Sequence, residues 1–218
     1  LGGTILGSSR GTPGPQRIAA FLRDRGFNIF FAVGGDGTLR GAHEIFERCA
    51  EAGHPIAVVG IPKTIDNDIL FATKTFGFQT AIEEARRVIL AARTEATGYR
   101  GCTAVVKLMG RDSGFIAAHA TLAAGNVKFC LVPEQDFDLE GPRGLLARIA
   151  QRVREGKSTV IVAAEGAGQR HLAMAAPARD ASGNLLHGDI GVFLQNRIRK
   201  YFEAVSYTHL TLPTIYSV

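Results

Sequence analysis

The chain repeats one pattern, in which a short run of Val, Ile, Phe or Ala ends in a Gly-rich or polar turn and is followed by apolar residues at helical spacing. This alternation is typical of βαβ units, in which a helix returns the chain to the next strand of a parallel sheet. Strands are predicted at residues 28–33, 56–61, 104–108, 129–132 and 159–164. Helices are predicted at residues 39–50, 80–94, 115–124 and 145–154.

The predicted strands are apolar along most of their length instead of alternating with polar residues. Such strands occur in parallel sheets that are covered by helices on both faces. We therefore expect an α/β fold with a Rossmann-like parallel sheet. In such folds ligands bind beyond the carboxyl ends of the strands, so the functional side chains should follow the strands directly.

Composition excludes several other classes of protein. The chain has 218 residues, of which 46% are hydrophobic, and this is enough for the core of one large domain or two small ones. No apolar run approaches the roughly 20 residues of a membrane-spanning helix. The first residues lack the pattern of a secretory signal, so we expect a cytoplasmic protein without a membrane segment.

The net charge bears on the kind of ligand, and the cysteine positions bear on the state of the thiols. The net charge is +5, but the basic residues are scattered and no aromatic residues interleave with them. This pattern favours a small anionic substrate over nucleic acid. Cys49, Cys102 and Cys130 are far apart in sequence and lack the spacing of a zinc site or a disulfide framework, which indicates buried, reduced thiols.

The first candidate site is the sequence Gly-Gly-Asp-Gly-Thr at residues 34–38, which follows a predicted strand and opens a helix. Glycines let the backbone approach an anion, and the helix start offers free N–H groups to it. Asp36 would repel a phosphate unless a divalent cation lay between them, and Mg²⁺ suits that role. A plain turn with Asp36 as a helix cap is the alternative. Lipid and NAD kinases carry a similar motif, so it does not identify the phosphoryl acceptor.

The second candidate site is Pro-Lys-Thr-Ile-Asp-Asn-Asp at residues 62–68, which combines a cation, a hydroxyl and two carboxylates. Phosphoryl transfer needs an aspartate near the acceptor hydroxyl and cations around the phosphates. Asp66 could take the hydroxyl proton, and Lys63 could offset phosphate charge. The alternative is structural, with Asp66 and Asp68 capping the next helix.

These two motifs, together with Thr-Phe-Gly-Phe-Gln-Thr at residues 75–80 and Lys-Leu-Met-Gly-Arg at residues 107–111, resemble the 6-phosphofructokinase family. The resemblance runs in order from Gly2 to Glu203. It implies a phosphofructokinase fold, incomplete at both ends. It also implies transfer of the terminal phosphate of ATP to the 1-hydroxyl of fructose 6-phosphate, with Mg²⁺ as cofactor.

The resemblance also assigns residues to roles. Asp66 would be the general base, Asp36 the magnesium carboxylate and Arg111 a cation near the moving phosphoryl group, with Thr64 and Asp68 completing the reaction centre. The implied ATP-binding residues are Arg10, Gly35, Gly37, Thr38, Gly41 and Lys63. The implied sugar-phosphate residues are Thr64, Asp66, Met109, Gly110, Arg111 and Glu165. From their sequence context alone, Met109 would be a core residue, Glu165 a helix cap and Arg10 a solvated surface charge.

Two residues bear on the phosphoryl donor. Pyrophosphate users of the family typically carry aspartate at the position of Gly37, which favours ATP here, whereas simple bacterial ATP users carry glycine at the position of Lys63. The combination resembles the plant-like ATP-dependent branch. A pyrophosphate-dependent enzyme and a catalytically silent regulatory subunit are the alternatives. The family also implies a homo-oligomer, either a dimer or a tetramer.

The expected functional division has three parts. Residues 1–100 would bind nucleotide and magnesium, and residues 101–204 would bind the sugar phosphate. Residues 205–218 are Thr-rich, lack helical or strand periodicity and resemble a translated sequencing adaptor, so we expect a non-native tail. The family's first phosphate loop and its C-terminal basic region are not found in the sequence, and we expect these 218 residues alone to be weakly active or inactive.

Overall fold

The computed structural model describes residue 5, residues 13–172, residue 179, residues 186–204 and residues 216–217. These residues form two compact units. Unit 1 contains the described residues up to Thr64 together with Ile69–Ala72, and most of the remaining chain, including Ile65–Asp68, forms unit 2. This structural division falls at Thr64, whereas the functional division expected from the sequence falls at residue 100. The functional division concerns ligands and stays a prediction.

The described part of unit 1 has two helices and two parallel strands. Its elements are α1 (Pro15–Asp24), β1 (Ile29–Gly34), α2 (Asp36–Glu51) and β2 (Ala57–Thr64). The strand register places Ile29 opposite Ala57 and Gly34 opposite Pro62. The sequence predicted that the second strand would end at residue 61, which is wrong, because Pro62, Lys63 and Thr64 continue it.

The core of unit 1 lies on one face of this strand pair. Helices α1 and α2 supply Leu22, Ile45 and Cys49 to a cluster that also contains Ile56. On the opposite face, side chains of β1 and β2 are exposed, at 53% for Ile29, 60% for Phe31, 54% for Val33 and 40% for Val59. We call these four residues the exposed sheet face. Coverage of both faces is therefore not found for the described part of unit 1, because both of its helices pack on the same side.

Unit 2 contains the other elements of the chain. They are β3 (Phe76–Gly77), α3 (Phe78–Thr97), β4 (Thr103–Leu108), α4 (Phe115–Ala124), β5 (Phe129–Leu131), α5 (Leu145–Arg154), β6 (Thr159–Ala164), a short 3₁₀ helix (Gln169–His171), α6 (Ile190–Ala204) and β7 (Tyr216–Ser217). Four strands form a parallel sheet in the order β5-β6-β4-β7. The strand β7 lies in the segment for which the sequence predicted no strand.

The centre of this sheet is buried on both faces. All six residues of β6 are buried, and so are five of the six in β4. Helices on the sheet contribute Ile89 from α3, Ile149 from α5 and Ile198 from α6 to one continuous core. The prediction of an apolar parallel sheet covered by helices is confirmed for unit 2.

The three cysteines are free thiols that the fold buries wholly or in part. Cys49 and Cys102 are buried, Cys130 is half-buried, and all three are free thiols. Burial raises the pKa of each of these thiols, which keeps them protonated and unreactive. Within the part of the chain that the structure describes, no helix is both long enough and apolar enough to cross a membrane.

Candidate active-site loops

The carboxyl edge of unit 1 gathers most of the residues that the sequence assigned to ATP. Because Gly34 pairs with Pro62, the segments that follow β1 and end β2 are neighbours. A Cβ on Gly35 would lie 3.7 Å from Thr64 Cβ and 3.9 Å from the Lys63 carbonyl oxygen. The residues brought to this edge are Gly35, Asp36, Gly37, Thr38, Lys63 and Thr64, and Gly41 lies one turn further along α2.

Gly34 allows the turn into α2 to close tightly. The residue is buried, and a Cβ built on it would overlap the side chain of Thr38, including its hydroxyl. Any side chain at position 34 would therefore displace Thr38. The sequence identified the glycines by their freedom of approach to an anion, and the structure adds a packing reason for this one.

Asp36 is the first residue of α2, but it does not cap the helix. Gly35 occupies the N-cap position, and no side chain bonds to the free N–H groups there. The Asp36 side chain is exposed and makes no hydrogen bond or ion pair with the residues described. The alternative that Asp36 serves as a helix cap is therefore wrong. The Lys63 ammonium is likewise exposed and has no ion pair within the described chain.

The donor set at this edge fits magnesium better than a metal held by protein ligands alone. Among the described residues there is no group of three or more His, Cys, Asp or Glu side chains placed to hold a metal ion. Mg²⁺ commonly takes one or two carboxylates and fills its other positions with water and phosphate oxygens. An exposed, unengaged Asp36 carboxylate meets that requirement.

The carboxyl edge of unit 2 brings together four of the residues assigned to the sugar phosphate, namely Met109, Gly110, Arg111 and Glu165. Strands β4 and β6 pair with Leu108 opposite Ala164, so Met109 and Glu165 follow adjacent strands. The Glu165 N–H donates to the Leu108 carbonyl at 2.9 Å. The Arg111 N–H donates to Glu165 Oε2 at 3.4 Å, which joins the two strand ends.

The turn after β4 holds Arg111 in an unusual conformation. The Ser113 N–H donates to the Gly110 carbonyl at 2.9 Å, and a Cβ on Gly110 would lie 2.5 Å from the Ser113 carbonyl oxygen. Gly110 has φ of 140°, and Arg111 itself has φ of 51°. A non-glycine residue in the left-handed region is uncommon, and such residues cluster at functional sites. The Arg111 guanidinium makes no ion pair with the described residues.

The structural alternatives for Met109, Glu165, Asp66 and Asp68 fail as well. Met109 is 52% exposed, so it is not a core residue. The 3₁₀ helix after Glu165 has Gly168 at its N-cap position, so Glu165 does not cap it. Helix α3 has Gly77 at its N-cap and no side-chain bond there, which removes the capping role suggested for Asp66 and Asp68.

Asp66 lies in a short loop of unit 2 that other residues hold in place. Its backbone carbonyl accepts a hydrogen bond from Ser113 Oγ at 3.1 Å. The next residue, Asn67, has φ of 57°, and its Oδ1 accepts hydrogen bonds from the Thr75 N–H at 2.8 Å and the Thr75 hydroxyl at 3.3 Å. Asp66 is half-buried and Asp68 is exposed.

Sequence reasoning missed the roles of Asn67, Thr75 and Ser113, although all three lie in or beside the motifs. Asparagine is one of the few residues that enter the left-handed region readily, and its side chain is a good acceptor for nearby N–H groups. An asparagine between two aspartates was therefore a usable signal for a loop closed by its own side chain. The partner Thr75 could not be identified without the fold.

Replacing Asn67 by alanine is expected to destabilise the loop. The alanine side chain has no acceptor for the Thr75 N–H and hydroxyl, and the left-handed conformation costs alanine about 1–2 kcal/mol. The lost hydrogen bonds add about 1–3 kcal/mol. In the full-length protein, thermal unfolding followed by circular dichroism should show a lower midpoint for Asn67→Ala. Asn67→Asp keeps an acceptor oxygen and should lose less; equal midpoints for both variants and the wild type would contradict this role.

Two expectations from the sequence are not tested by these contacts. Arg10 falls outside the described residues. Asp36 belongs to unit 1 and Asp66 to unit 2. That these two aspartates flank one phosphate stays a prediction.

Both units therefore place glycine turns and unengaged charged side chains at the carboxyl ends of parallel strands. This arrangement is that of an α/β protein with parallel sheets, the class of fold in which ligand sites lie at the carboxyl ends of the strands. The family model described as phosphofructokinase matches residues 1–211. The chain belongs to the phosphofructokinase family.

Individual relatives agree with this assignment. The ATP-dependent 6-phosphofructokinase of Borreliella burgdorferi is 47% identical over 210 residues, covering 94% of this chain and 47% of the relative. The ATP-dependent 6-phosphofructokinase 5, chloroplastic, of Arabidopsis thaliana is 50% identical over 206 residues, covering 94% of this chain and 38% of the relative. The chain thus spans about half the length, or less, of the curated relatives it matches.

A solved structure supports the fold. The pyrophosphate-dependent phosphofructokinase from Marinobacter aquaeolei aligns with a TM-score of 0.69 at 24% identity, covering 99% of this chain and 50% of that one. At this identity the likeness shows the fold alone and does not bear on the phosphoryl donor.

Proposed function

We propose that the full-length protein transfers the terminal phosphoryl group of ATP to the 1-hydroxyl of fructose 6-phosphate, giving fructose 1,6-bisphosphate and ADP. The observation that carries the proposal is the 47–50% identity to relatives named ATP-dependent 6-phosphofructokinase. The charged groups of Asp36, Lys63 and Arg111 support it, because no ion pair with the described residues engages them.

The proposed chemistry starts at Asp66. Its carboxylate accepts the proton of the sugar 1-hydroxyl as the hydroxyl oxygen forms a bond to the γ-phosphorus. The bond from the γ-phosphorus to its bridging oxygen breaks, and ADP leaves with that oxygen. The half-buried position of Asp66 and the bonds that hold its loop favour this role, since a general base must be fixed within hydrogen-bond reach of the proton it takes.

Cationic side chains would balance the charge that moves. Arg111 would contact the transferring phosphoryl group and Lys63 the phosphates of the donor, which is where phosphoryl transfer requires positive charge. Thr64 and Asp68 would complete the reaction centre. Asp36 would hold Mg²⁺, which supplies further charge neutralisation when bound. Met109, Gly110 and Glu165 would contact the sugar phosphate.

The phosphoryl donor can be tested through Gly37. Apart from its chain neighbours and the backbone of its own helix, no described atom lies within 4 Å of a Cβ built there, so Gly37→Asp should not disturb the fold. Aspartate in the first turn of α2 is also compatible with the helix dipole. Because like charges brought together cost several kcal/mol, the variant should lose about 100-fold in kcat/KM for ATP. Its KM for fructose 6-phosphate should change little.

The matched control for Gly37→Asp is Ala50→Asp, which adds the same charge to an exposed position near the other end of α2. Steady-state kinetics with varied ATP should separate the two variants. An unchanged kcat/KM for ATP in Gly37→Asp would remove the argument that Gly37 keeps space for the nucleotide.

The proposed reaction as a whole is tested by product formation. Purified full-length protein is incubated with fructose 6-phosphate, Mg²⁺ and either ATP or pyrophosphate, and fructose 1,6-bisphosphate is measured by a coupled assay. Product with ATP supports the proposal. Product with pyrophosphate only would show that pyrophosphate is the phosphoryl donor instead of ATP. Binding of the substrates without product would support a silent regulatory subunit. The same assay on residues 1–218 tests the expectation of weak or absent activity.

Assembly and location are parts of the same proposal. We propose a homo-oligomer, dimer or tetramer, that acts in the cytoplasm; free, reduced thiols are compatible with that compartment. Sedimentation velocity of the full-length protein checks the assembly. Fluorescence microscopy of a tagged full-length chain checks the location, which matters because the Arabidopsis relative is named chloroplastic.

A further inference from the structure

The hydroxyl of Ser113 connects two loops that the proposed reaction uses. Ser113 is 7% exposed, and its Oγ donates a hydrogen bond to the Asp66 backbone carbonyl at 3.1 Å. The same oxygen accepts a bond from the Phe115 N–H at 3.4 Å. The residue thus joins the loop that carries Asp66 to the start of α4.

The segment around Ser113 is itself held on several sides. The Gly114 N–H donates to Glu134 Oε1 at 2.8 Å, and a Cβ on Gly114 would lie 2.6 Å from Val132. On the other side, the Ser113 N–H closes the turn that contains Arg111. Because the segment is held and the Ser113 hydroxyl is buried, the hydroxyl has a well-defined position, whereas an exposed side chain can rotate freely.

We infer that Ser113 is a positioning residue for Asp66. Its hydrogen bond fixes the position of the Asp66 backbone relative to the turn that carries Arg111. The distance between the proton acceptor and the phosphoryl-binding cation is thereby maintained. The inference rests on the proposed function and adds a residue to which the family resemblance assigned no role. Small displacements of reacting groups are costly, since about 1 Å can lower a rate by ~100-fold.

The kinetic test compares Ser113→Ala with wild type in the full-length protein. The variant should lose about tenfold in kcat, because Asp66 would be displaced by less than the ~1 Å considered above. The KM for ATP should stay within about twofold of the wild-type value. Ser113→Thr keeps the hydroxyl and should recover most of the rate. Ser158→Ala removes a hydroxyl beside the opposite end of β6 and should behave like wild type.

A double variant shows whether Ser113 acts through Asp66. If it does, Ser113→Ala should have little further effect in an Asp66→Ala background, because residues that act as a unit are strongly non-additive. A general loss of structure would instead lower the residual rate of Asp66→Ala as well. Additive losses, or a Ser113→Ala variant as fast as wild type, would overturn the inference.

Hydrogen exchange gives a readout that does not depend on the proposed reaction. In Ser113→Ala, peptides covering residues 65–68 should exchange faster, whereas peptides of β6 should keep wild-type protection. Unchanged exchange at residues 65–68 would overturn the inference whatever the activity. A wild-type protein that forms no fructose 1,6-bisphosphate would instead overturn the proposed function, and the exchange result would still decide the role of Ser113.

Discussion

Replacing Asp66 by alanine is expected to lower kcat for fructose 1,6-bisphosphate formation by at least ~100-fold in the full-length protein, the usual worth of a general base. Asp66→Asn, which keeps the shape but accepts no proton at neutral pH, should lose a similar factor. The Ser113 bond goes to the Asp66 backbone, so both variants keep it. Steady-state kinetics with the coupled assay measures the loss.

The matched control for Asp66 is Asp136→Asn, which removes one surface carboxylate whose ion pair with Arg170 is exposed. Exposed pairs contribute about 0–1 kcal/mol, so this variant should fold and react like wild type. Circular dichroism of all three variants checks that they are folded. Wild-type turnover in folded Asp66→Ala would remove Asp66 from the reaction.

Replacing Arg111 by leucine is expected to cost about 1,000-fold in kcat, since an arginine that meets the moving phosphoryl group is worth at least this much in related chemistry. The guanidinium has no ion pair with the described residues, so little of the loss should come from stability. Arg111→Lys restores a charge but not the planar donor pattern, and it should recover only part of the rate.

Two controls separate the charge of Arg111 from its backbone. Arg111 has φ of 51°, so Arg111→Gly relaxes the backbone while it removes the side chain. If the side chain matters, glycine and leucine should lose similar factors. Arg87→Leu, which removes an exposed arginine paired with Glu84 on α3, should remain active. A leucine variant within threefold of wild type would contradict the assignment of Arg111.

The fold was predictable wherever burial enforces a pattern. Strand β6 and helices α4 and α5 have the predicted bounds, because apolar periodicity and glycines mark their ends. Helices α1 and α6 were missed. Helix α1 carries Pro15 in its first turn, a recognised start signal. Helix α6 buries Ile190, Leu194 and Ile198, which are spaced four residues apart and so lie on one helical face. No element was predicted from the sequence in either of these two regions.

The candidate site was predictable as residue types but not as contacts. The sequence placed Asp36, Asp66, Arg111 and Glu165 at strand ends because parallel strands direct functional residues there. It did not reveal that Glu165 accepts the Arg111 N–H or that Ser113 bonds to Asp66. These contacts join positions 54 and 47 residues apart, and residue spacing alone does not specify which distant strand ends become neighbours.

The exposed sheet face has a practical consequence for the laboratory. Ile29, Phe31, Val33 and Val59 present water with an apolar strip on adjacent strands, and such strips promote precipitation and non-specific association. A recombinant polypeptide limited to residues 1–218 would carry this strip into every purification step. Detergent screening or a polar substitution such as Phe31→Lys is therefore advisable before any binding measurement on the isolated segment.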